Sequence, residues 1–366
     1  MSSAARALIK LGAIKHNYRL LKERSNGSCL MAVVKANAYG HGLLPVARCL
    51  DEADCFAVAR IAEAELLRSD GIATPIALLG GVLGEDDVKK AVDLDLQVAI
   101  HSYEQVAWLE RCKTVPEIIW VKVDTGMNRL GFRPHEVTDA LARLERLDSV
   151  RELRLMTHLA SAEDVEEPAT ELQLEKFASI VDGFEGDISI ANSAAIFAWQ
   201  DRLGALFAPS EGRRLWARAG LALYGISPFP DKSGADLGLQ PAMRFESKLV
   251  AVKALGKGQA VGYGGAWHAD RDTVLGIAGA GYGDGYTRYI PTGSPIVVNG
   301  RPVRVAGRVS MDLTAVDLGP DAKDRVGDPV LLWGDELPVE EVAIHADTIP
   351  YQLVCGVSER VSYEFV

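Results

Sequence analysis

Eight short apolar runs, each closed by a polar or glycine residue and most followed by a longer stretch with helical spacing, fill the first two thirds of this 366-residue chain. The runs are Cys29–Val34, Cys55–Ala59, Ile76–Leu79, Leu96–Ile100, Ile118–Val123, Leu153–Thr157, Ile188–Ala191 and Leu215–Tyr224. Segments such as Ile14-Tyr18-Leu21 and Val137-Leu141-Leu144-Leu147 space apolar side chains along one helix face. Strands that alternate with helices in this number predict an α/β chain with an N-terminal (β/α)8 TIM-like barrel; an open parallel sheet of fewer strands is the alternative. Lys35, Arg60, His101, Asp124, His158, Asn192 and Arg218 stand at or near the C-terminal ends of the runs. In a barrel those ends converge on one mouth, where active sites form. Alternation within the fifth strand sets Lys122 and Asp124 on one face and Ile119, Val121 and Val123 on the other.

The texture changes after Pro228-Phe229-Pro230 and the Lys232-Ser233-Gly234 turn. From Met243 onward, Phe245-Ser247-Leu249-Ala251 alternates with Glu246-Lys248-Val250-Val252. Glycine-rich turns then separate Val274–Ala278, Ile296–Val298, Val303–Val305, Leu313–Val316 and Val330–Leu332. This period of two predicts a second, mainly β domain. The stretch from Met1 to Leu11 has no long apolar core and reads as a strand of that domain, not as a signal peptide. The expected division is a barrel over 10–235 and a β domain over 236–366 together with strand 1–9.

The balance of 39 basic against 50 acidic side chains, −11, sets the chain against nucleic-acid phosphates and anionic membranes as partners. No apolar run approaches the roughly 20 residues of a membrane span. Cys29, Cys49, Cys55, Cys112 and Cys355 are odd in number and lack a C-x-x-C pair, which points to reduced thiols in a cytoplasmic protein. The histidines show no metal-ligand spacing, so no metal is expected.

Ala32-Val33-Val34-Lys35-Ala36-Asn37-Ala38-Tyr39-Gly40-His41-Gly42 carries the strongest chemical signal. A lysine on an apolar strand is costly unless it is paired or used covalently, and burial leaves its amine neutral and nucleophilic, as Schiff-base chemistry requires. Snorkelling of Lys35 to solvent is the ordinary alternative. The turn with two glycines suits a close approach of backbone to a ligand. This segment resembles, residue for residue, the cofactor-lysine motif of alanine racemases, and the resemblance recurs along nearly the whole chain. It implies a pyridoxal 5'-phosphate enzyme, a barrel followed by a β domain, acting on alanine as a head-to-tail homodimer with shared active sites.

By that match, Lys35 carries the cofactor and Tyr39 contacts its phosphate. In the segment Lys122 to Phe132, the match implies that Arg129 binds the substrate carboxylate and orients the catalytic tyrosine. It also implies that Lys122 is carbamylated, which turns lysine–arginine repulsion into a bidentate pair. Read by itself, Lys122 would pair with Asp124. Asn192-Ser193-Ala194-Ala195 matches a cofactor-binding turn with Ser193 on the phosphate, although an Asn-Ser pair alone is a helix cap. From Arg218 to Gly225, the match implies that Arg218 faces the pyridine nitrogen and that Gly220 and Leu221 offer backbone N–H groups to the phosphate. Leu221 stands where the family usually has isoleucine. An arginine there stays charged and only donates, so the ring nitrogen stays unprotonated and transamination and decarboxylation are disfavoured. His158 is implied to link Arg218 to the catalytic tyrosine; the residues alone equally fit a structural histidine.

Racemisation needs two opposed acid/base groups, because the Cα proton leaves one face and returns on the other. Val261-Gly262-Tyr263-Gly264-Gly265 matches the segment that carries the second group, Tyr263, and Gly281-Tyr282-Gly283-Asp284-Gly285-Tyr286 follows as in the family. Met311 is implied to place its backbone N–H near the substrate carboxylate. Tyr351 is implied to bind phosphate and, with Tyr282, to narrow the access route. Tyr263, Met311 and Tyr282 are implied to act in the other subunit's site. The resulting reading is L-/D-alanine racemisation that supplies D-alanine for peptidoglycan. A broad-specificity or serine racemase, a decarboxylase and a non-enzymatic PLP-binding protein are the alternatives; Arg218 argues against the decarboxylase, and the β domain against the binding protein.

Overall fold

The structure is a computed structural model and describes residues 4–207 and 212–366. The first three residues of the stretch read as an N-terminal strand lie outside that range; β1 (Arg6–Ile9) forms within it. Eight further strands follow: β2 (Cys29–Val33), β3 (Cys55–Val58), β4 (Ile76–Leu78), β5 (Leu96–Ile100), β6 (Ile118–Lys122), β7 (Glu152–Met156), β8 (Ile188–Ser189) and β9 (Leu215–Ala219). They pair in parallel in sequence order, and β2 pairs with β9, so the sheet closes into a barrel and the open-sheet alternative fails. The eighth apolar run is split. Its strand ends at Ala219, Gly220 takes a non-extended φ/ψ of −104°/−106°, and Leu221–Tyr224 coils into a 3-10 turn.

These strands read as near-continuous apolar runs because one face meets the barrel interior and the other the helix layer. Ile14, Tyr18 and Leu21 of helix Leu11–Arg24 are the buried face that the spacing predicted; in helix Val137–Leu144, Val137 and Leu144 are buried, but Leu141 is half-buried and Leu147 lies beyond the helix end. Below the mouth the barrel is filled by a polar plug. The Arg154 guanidinium lies 5.1 Å from the Trp120 ring centre and 5.4 Å from that of Trp216. It bonds Glu152 at 2.6 Å and lies 3.5 Å from Asp187. The Trp120 indole donates to Gln97 at 2.9 Å and the Trp216 indole to Asp187 at 2.8 Å, so the large rings are buried with their N–H groups satisfied.

The C-terminal third is built on β10 (Met243–Leu255), 13 residues long, which contains the alternating segment from Phe245. The sheet runs in the order Thr273–Ala278, Thr314–Gly319, Arg301–Val305, Pro295–Val298, Pro329–Trp333, β10, β1, Ser362–Phe365. It also folds back on itself where β10 pairs with Thr273–Ala278. β1 lies antiparallel to β10 and parallel to Ser362–Phe365, so both ends of the chain belong to one sheet and the barrel is strung between them. Two short helices, Val339–His345 and Pro350–Cys355, interrupt the β texture.

Replacing Arg154 by Ala removes the cation between two indoles and deprives the 2%-exposed Asp187 of a partner. The expected cost is about 3 kcal/mol or more. Arg154→Lys should recover only part of it, because an ammonium cannot span Glu152, Asp187 and Gln97 as the guanidinium fork does. Denaturant melts of the three proteins measure this; equal stability of Arg154→Lys and the native protein would refute the plug as a fork-dependent network.

Candidate active site

A cavity of about 860 Å³ opens at the C-terminal mouth of the barrel. Lys35, Tyr39, Lys122, Arg129, His158, Asn192, Ser193, Arg218, Gly220, Leu221 and Tyr351 all line it, although they come from six separate stretches of chain. Of the other strand-end residues, Arg60 is exposed, His101 contacts Gly80 O at 3.3 Å and Gln105, and Asp124 accepts from the N–H groups of Gly126 and Asn128; none of the three lines the cavity. The Asp124 carboxylate thus closes its own loop and is not in a salt bridge with Lys122.

Lys35 begins a turn of unusual hand. Ala36, Asn37, Ala38 and Tyr39 have φ of 53°, 54°, 53° and 52°, a left-handed helical turn built without glycine until Gly40. Each such residue costs roughly 1–2 kcal/mol, so local preference alone would not form it. Tertiary partners hold it: Glu63 accepts from Ala36 N at 2.6 Å, and Asn37 Oδ1 accepts from Leu43 N at 2.8 Å. The glycines serve packing and not the ligand. A Cβ on Gly40 would lie 2.1 Å from Val354 O, and one on Gly42 2.9 Å from the Phe365 ring. The turn is therefore seated against helix Pro350–Cys355, which carries Tyr351, and the rings of Tyr39 and Tyr351 stand 5.7 Å apart.

Arg218, on β9, is buried and surrounded by neutral acceptors: Ser189 Oγ at 2.6 Å, Thr157 O at 2.6 Å, Ile190 O at 3.2 Å and His158 Nδ1 at 3.2 Å. None of these bonds uses Nε. Burial alone lowers its pKa to about 10, which still leaves it protonated at neutral pH. Because His158 Nδ1 accepts from a guanidinium, the imidazole proton resides on Nε2. Burial, then Arg218 and Lys122, push the His158 pKa down to about 3, so the ring is neutral. Lys122 ends β6 and is lowered to about 8 by burial and by Arg218, Arg129 and Lys35. Lys35 is lowered by burial and by Arg129. Among the described residues, none of Lys35, Lys122, Arg129 and Arg218 forms a salt bridge.

At one side of the cavity Ser193 Oγ accepts from Gly220 N at 3.0 Å and Ala222 N at 3.4 Å, which frees its own hydrogen to donate. Asn192 caps the helix that Ser193 starts, its side chain accepting from Ala195 N at 3.0 Å, as an isolated Asn-Ser pair would. A Cβ on Gly220 would fall 3.0 Å from the Tyr39 hydroxyl and 3.9 Å from Ser193 Oγ. Gly220 thus keeps open a cradle of hydroxyl and backbone groups beside the cationic cluster, the donor set of an anion site. A phosphorylated cofactor fits this donor set, with a reactive lysine, an arginine and the cradle in one cavity.

Tyr263, Met311 and Tyr282 are not brought to the cavity of their own chain. They are 66%, 52% and 40% exposed, on turns of the β sheet region. Tyr282 N donates to Ser310 O and Gly283 N to Met311 O, and Gly262 lies against Arg308, so the three turns adjoin. The sequence reading missed two aromatic neighbours of the lysine turn, His41 and Tyr224. His41 sits inside the quoted motif, but only a fully buried ring distinguishes it from an ordinary turn histidine.

The left-handed turn makes a prediction of unusual sign. Ala36 is exposed, so Ala36→Gly should relieve strain without loss of packing and raise stability by about 1 kcal/mol, where an ordinary helix would lose that amount. Gly40→Ala should lower it, through clash with Val354 O. Thermal unfolding of both variants checks the pair; a lower midpoint for Ala36→Gly would contradict the left-handed backbone.

Comparison with known proteins gives consistent results. The family model described as "Alanine racemase, N-terminal domain" matches residues 9–228, and "Alanine racemase, C-terminal domain" matches residues 242–365. The alanine racemase of Vibrio cholerae is 46% identical over 364 residues, covering 99% of this chain and 98% of that protein. The crystal structure of the biosynthetic alanine racemase from Pseudomonas aeruginosa superimposes with a TM-score of 0.93 at 40% identity, covering 100% of both chains. That of Bartonella henselae alanine racemase with covalently bound pyridoxal phosphate has a TM-score of 0.88 at 27% identity, again over 100% of both chains.

Proposed function

The chain belongs to the alanine racemase family and is an amino-acid racemase; we propose that it works with pyridoxal 5'-phosphate on Lys35 and with Tyr263 of a second subunit as the opposed acid/base group. The observation that carries this reading is the barrel-mouth cavity, where the basic side chains of Lys35, Lys122, Arg129 and Arg218, none in a salt bridge among the described residues, stand beside the hydroxyl and backbone cradle of Ser193 and Gly220. When bound, the cofactor supplies the electron sink that lets an amino acid release its Cα proton.

The protein's own groups then divide the work. Tyr39, Ser193, Gly220, Leu221 and Tyr351 would hold the phosphate. Arg218 would serve as a donor toward the pyridine nitrogen, with Asn192 nearby. Arg129 binds the substrate carboxylate. The Lys122 amine, largely neutral above about pH 8, takes up carbon dioxide and releases a proton, and the resulting carbamate pairs with Arg129. Lys35 moves the Cα proton on one face of the substrate. Tyr263 moves it on the other and is tuned by the Nε2–H of neutral His158. Met311 offers its backbone N–H to the carboxylate, and Tyr282 with Tyr351 restricts the pocket to a small side chain such as alanine's.

The exposure of Tyr263, Met311 and Tyr282 supports a homodimer in which one subunit's β domain (236–366 with 1–9) covers the other's barrel (10–235). The cysteines are all free, which supports a reducing cytoplasm, and D-alanine made there would serve peptidoglycan synthesis. No helix among the described residues is long and apolar enough to cross a membrane.

Subunit mixing tests the shared site. Lys35→Ala and Tyr263→Phe should each be nearly inactive as homodimers. After random exchange of equal amounts, half the dimers are mixed and each has one of two sites intact, so about a quarter of native activity should return. Verified exchange with no recovery would refute the shared site. The two-base assignment is tested by Cα proton exchange in deuterium oxide. Tyr263→Phe should exchange the proton of one alanine enantiomer through Lys35 and lose exchange of the other. Equal exchange of both would mean that Tyr263 is not specific to one face.

A further inference from the structure

His41 is fully buried beside the cofactor-lysine turn and has no part in the chemistry described above. Its Nδ1 lies 2.9 Å from Tyr39 O and 3.1 Å from Ala38 O. Both partners are carbonyls, which only accept, so Nδ1 carries the hydrogen and donates to both. Among the described residues Nε2 has no partner, so the ring's polar contacts are all at this turn. Its flat face stacks on Tyr224 at 4.5 Å, and Tyr224 in turn stacks on Tyr39 at 5.0 Å. The buried Tyr224 hydroxyl donates to Val33 O, on the strand that ends just before Lys35, at 2.9 Å. Burial lowers the His41 pKa to about 4, so the ring is the same neutral donor throughout the neutral range.

We propose that His41 is a positioning residue for the phosphate end of the cofactor site: its Nδ1–H clamps the carbonyls of Ala38 and Tyr39, and its ring backs the Tyr224–Tyr39 stack, holding the Tyr39 hydroxyl over Gly220. Ala38 O also accepts from the backbone N–H of His41 at 3.0 Å, so the ring N–H adds a second donor there and gives Tyr39 O a donor from within the same short segment. Since the Tyr39 hydroxyl sits 3.0 Å from the place a Gly220 Cβ would occupy, a small rotation of the turn would move it out of the cradle. The inference rests on the reading of Tyr39 as a phosphate ligand and goes beyond it by naming the residue that fixes Tyr39.

The experiment compares binding of pyridoxal 5'-phosphate and of unphosphorylated pyridoxal to the full-length enzyme and its variants. His41→Phe keeps a ring against Tyr224 but has no donor, and should lower the ratio of phosphate-form to pyridoxal affinity about tenfold, the scale of one lost hydrogen bond. His41→Asn, which restores an N–H donor, should return the ratio to within about threefold of native. Tyr39→Phe tests the underlying reading and should lower the same ratio; if it does not, the phosphate assignment of Tyr39 fails irrespective of His41. If Tyr39→Phe lowers the ratio and His41→Phe leaves it unchanged, or weakens both ligands equally, the positioning role is overturned. Should His41→Phe not fold, nitrogen-15 NMR of histidine-labelled native enzyme still decides: an Nδ1–H neutral tautomer is expected, and an Nε2–H tautomer would exclude the clamp.

Discussion

Four basic side chains converge on one cavity and, among the described residues, none forms a salt bridge, and the rest of the site follows from that electrostatic imbalance. Like charges in a partly desolvated space repel strongly, and each loses hydration. The protein meets this in two ways. Lys35 and Lys122 are pushed toward their neutral forms, while Arg218, which stays protonated at neutral pH, is wrapped in neutral acceptors from two strand ends, those of β7 and β8. Such a cavity favours anionic guests. In the proposed reading, the cofactor phosphate, the substrate carboxylate and a carbamate on Lys122 would each supply negative charge to these cations.

The same imbalance explains why the histidine at this mouth is neutral. His158 receives a hydrogen bond from a cation and is surrounded by further positive charge, so its own protonation is strongly opposed. Its tautomer is thereby set by Arg218. A single buried arginine therefore has two effects: it presents a permanent donor to the cavity and directs the imidazole hydrogen away from itself.

Geometry at the lysine is governed by a strained backbone that the second domain keeps in place. The left-handed turn after Lys35 lies against helix Pro350–Cys355, and Gly40 is the point of closest approach, where no side chain fits beneath Val354 O. Because β1 and Ser362–Phe365 share a sheet, that helix and the barrel are tied together at both ends of the chain. Strain at Lys35 is thus offset by packing contributed from more than 300 residues later, which links the orientation of the reactive amine to the docking of the two regions.

The barrel was legible in the sequence because burial and alternation are local properties: a run such as Leu96–Ile100 is apolar throughout only if both its faces are covered. Lys35, Asn192 and Arg218 were legible at strand ends because strand direction alone sends those ends to one mouth, whereas the roles of Arg218 and Ser193 came only from the family resemblance. Other features depended on contacts between distant segments. Arg60, His101 and Asp124 end strands just as Lys35 and Arg218 do, yet their loops turn them away from the cavity. The glycines of the lysine turn looked suited to a ligand, but Gly40 admits helix Pro350–Cys355 and Gly42 the Phe365 ring. The left-handed hand of that turn has no signature in Ala-Asn-Ala-Tyr, whose local preferences oppose it. Sequence by itself determined which elements form and which reactive side chains lie at their ends, because periodicity acts over a few residues. Only the tertiary structure decided which of those side chains share a cavity, which stand unpaired and which face outward, because these depend on the packing energy of segments that meet only once the chain has folded.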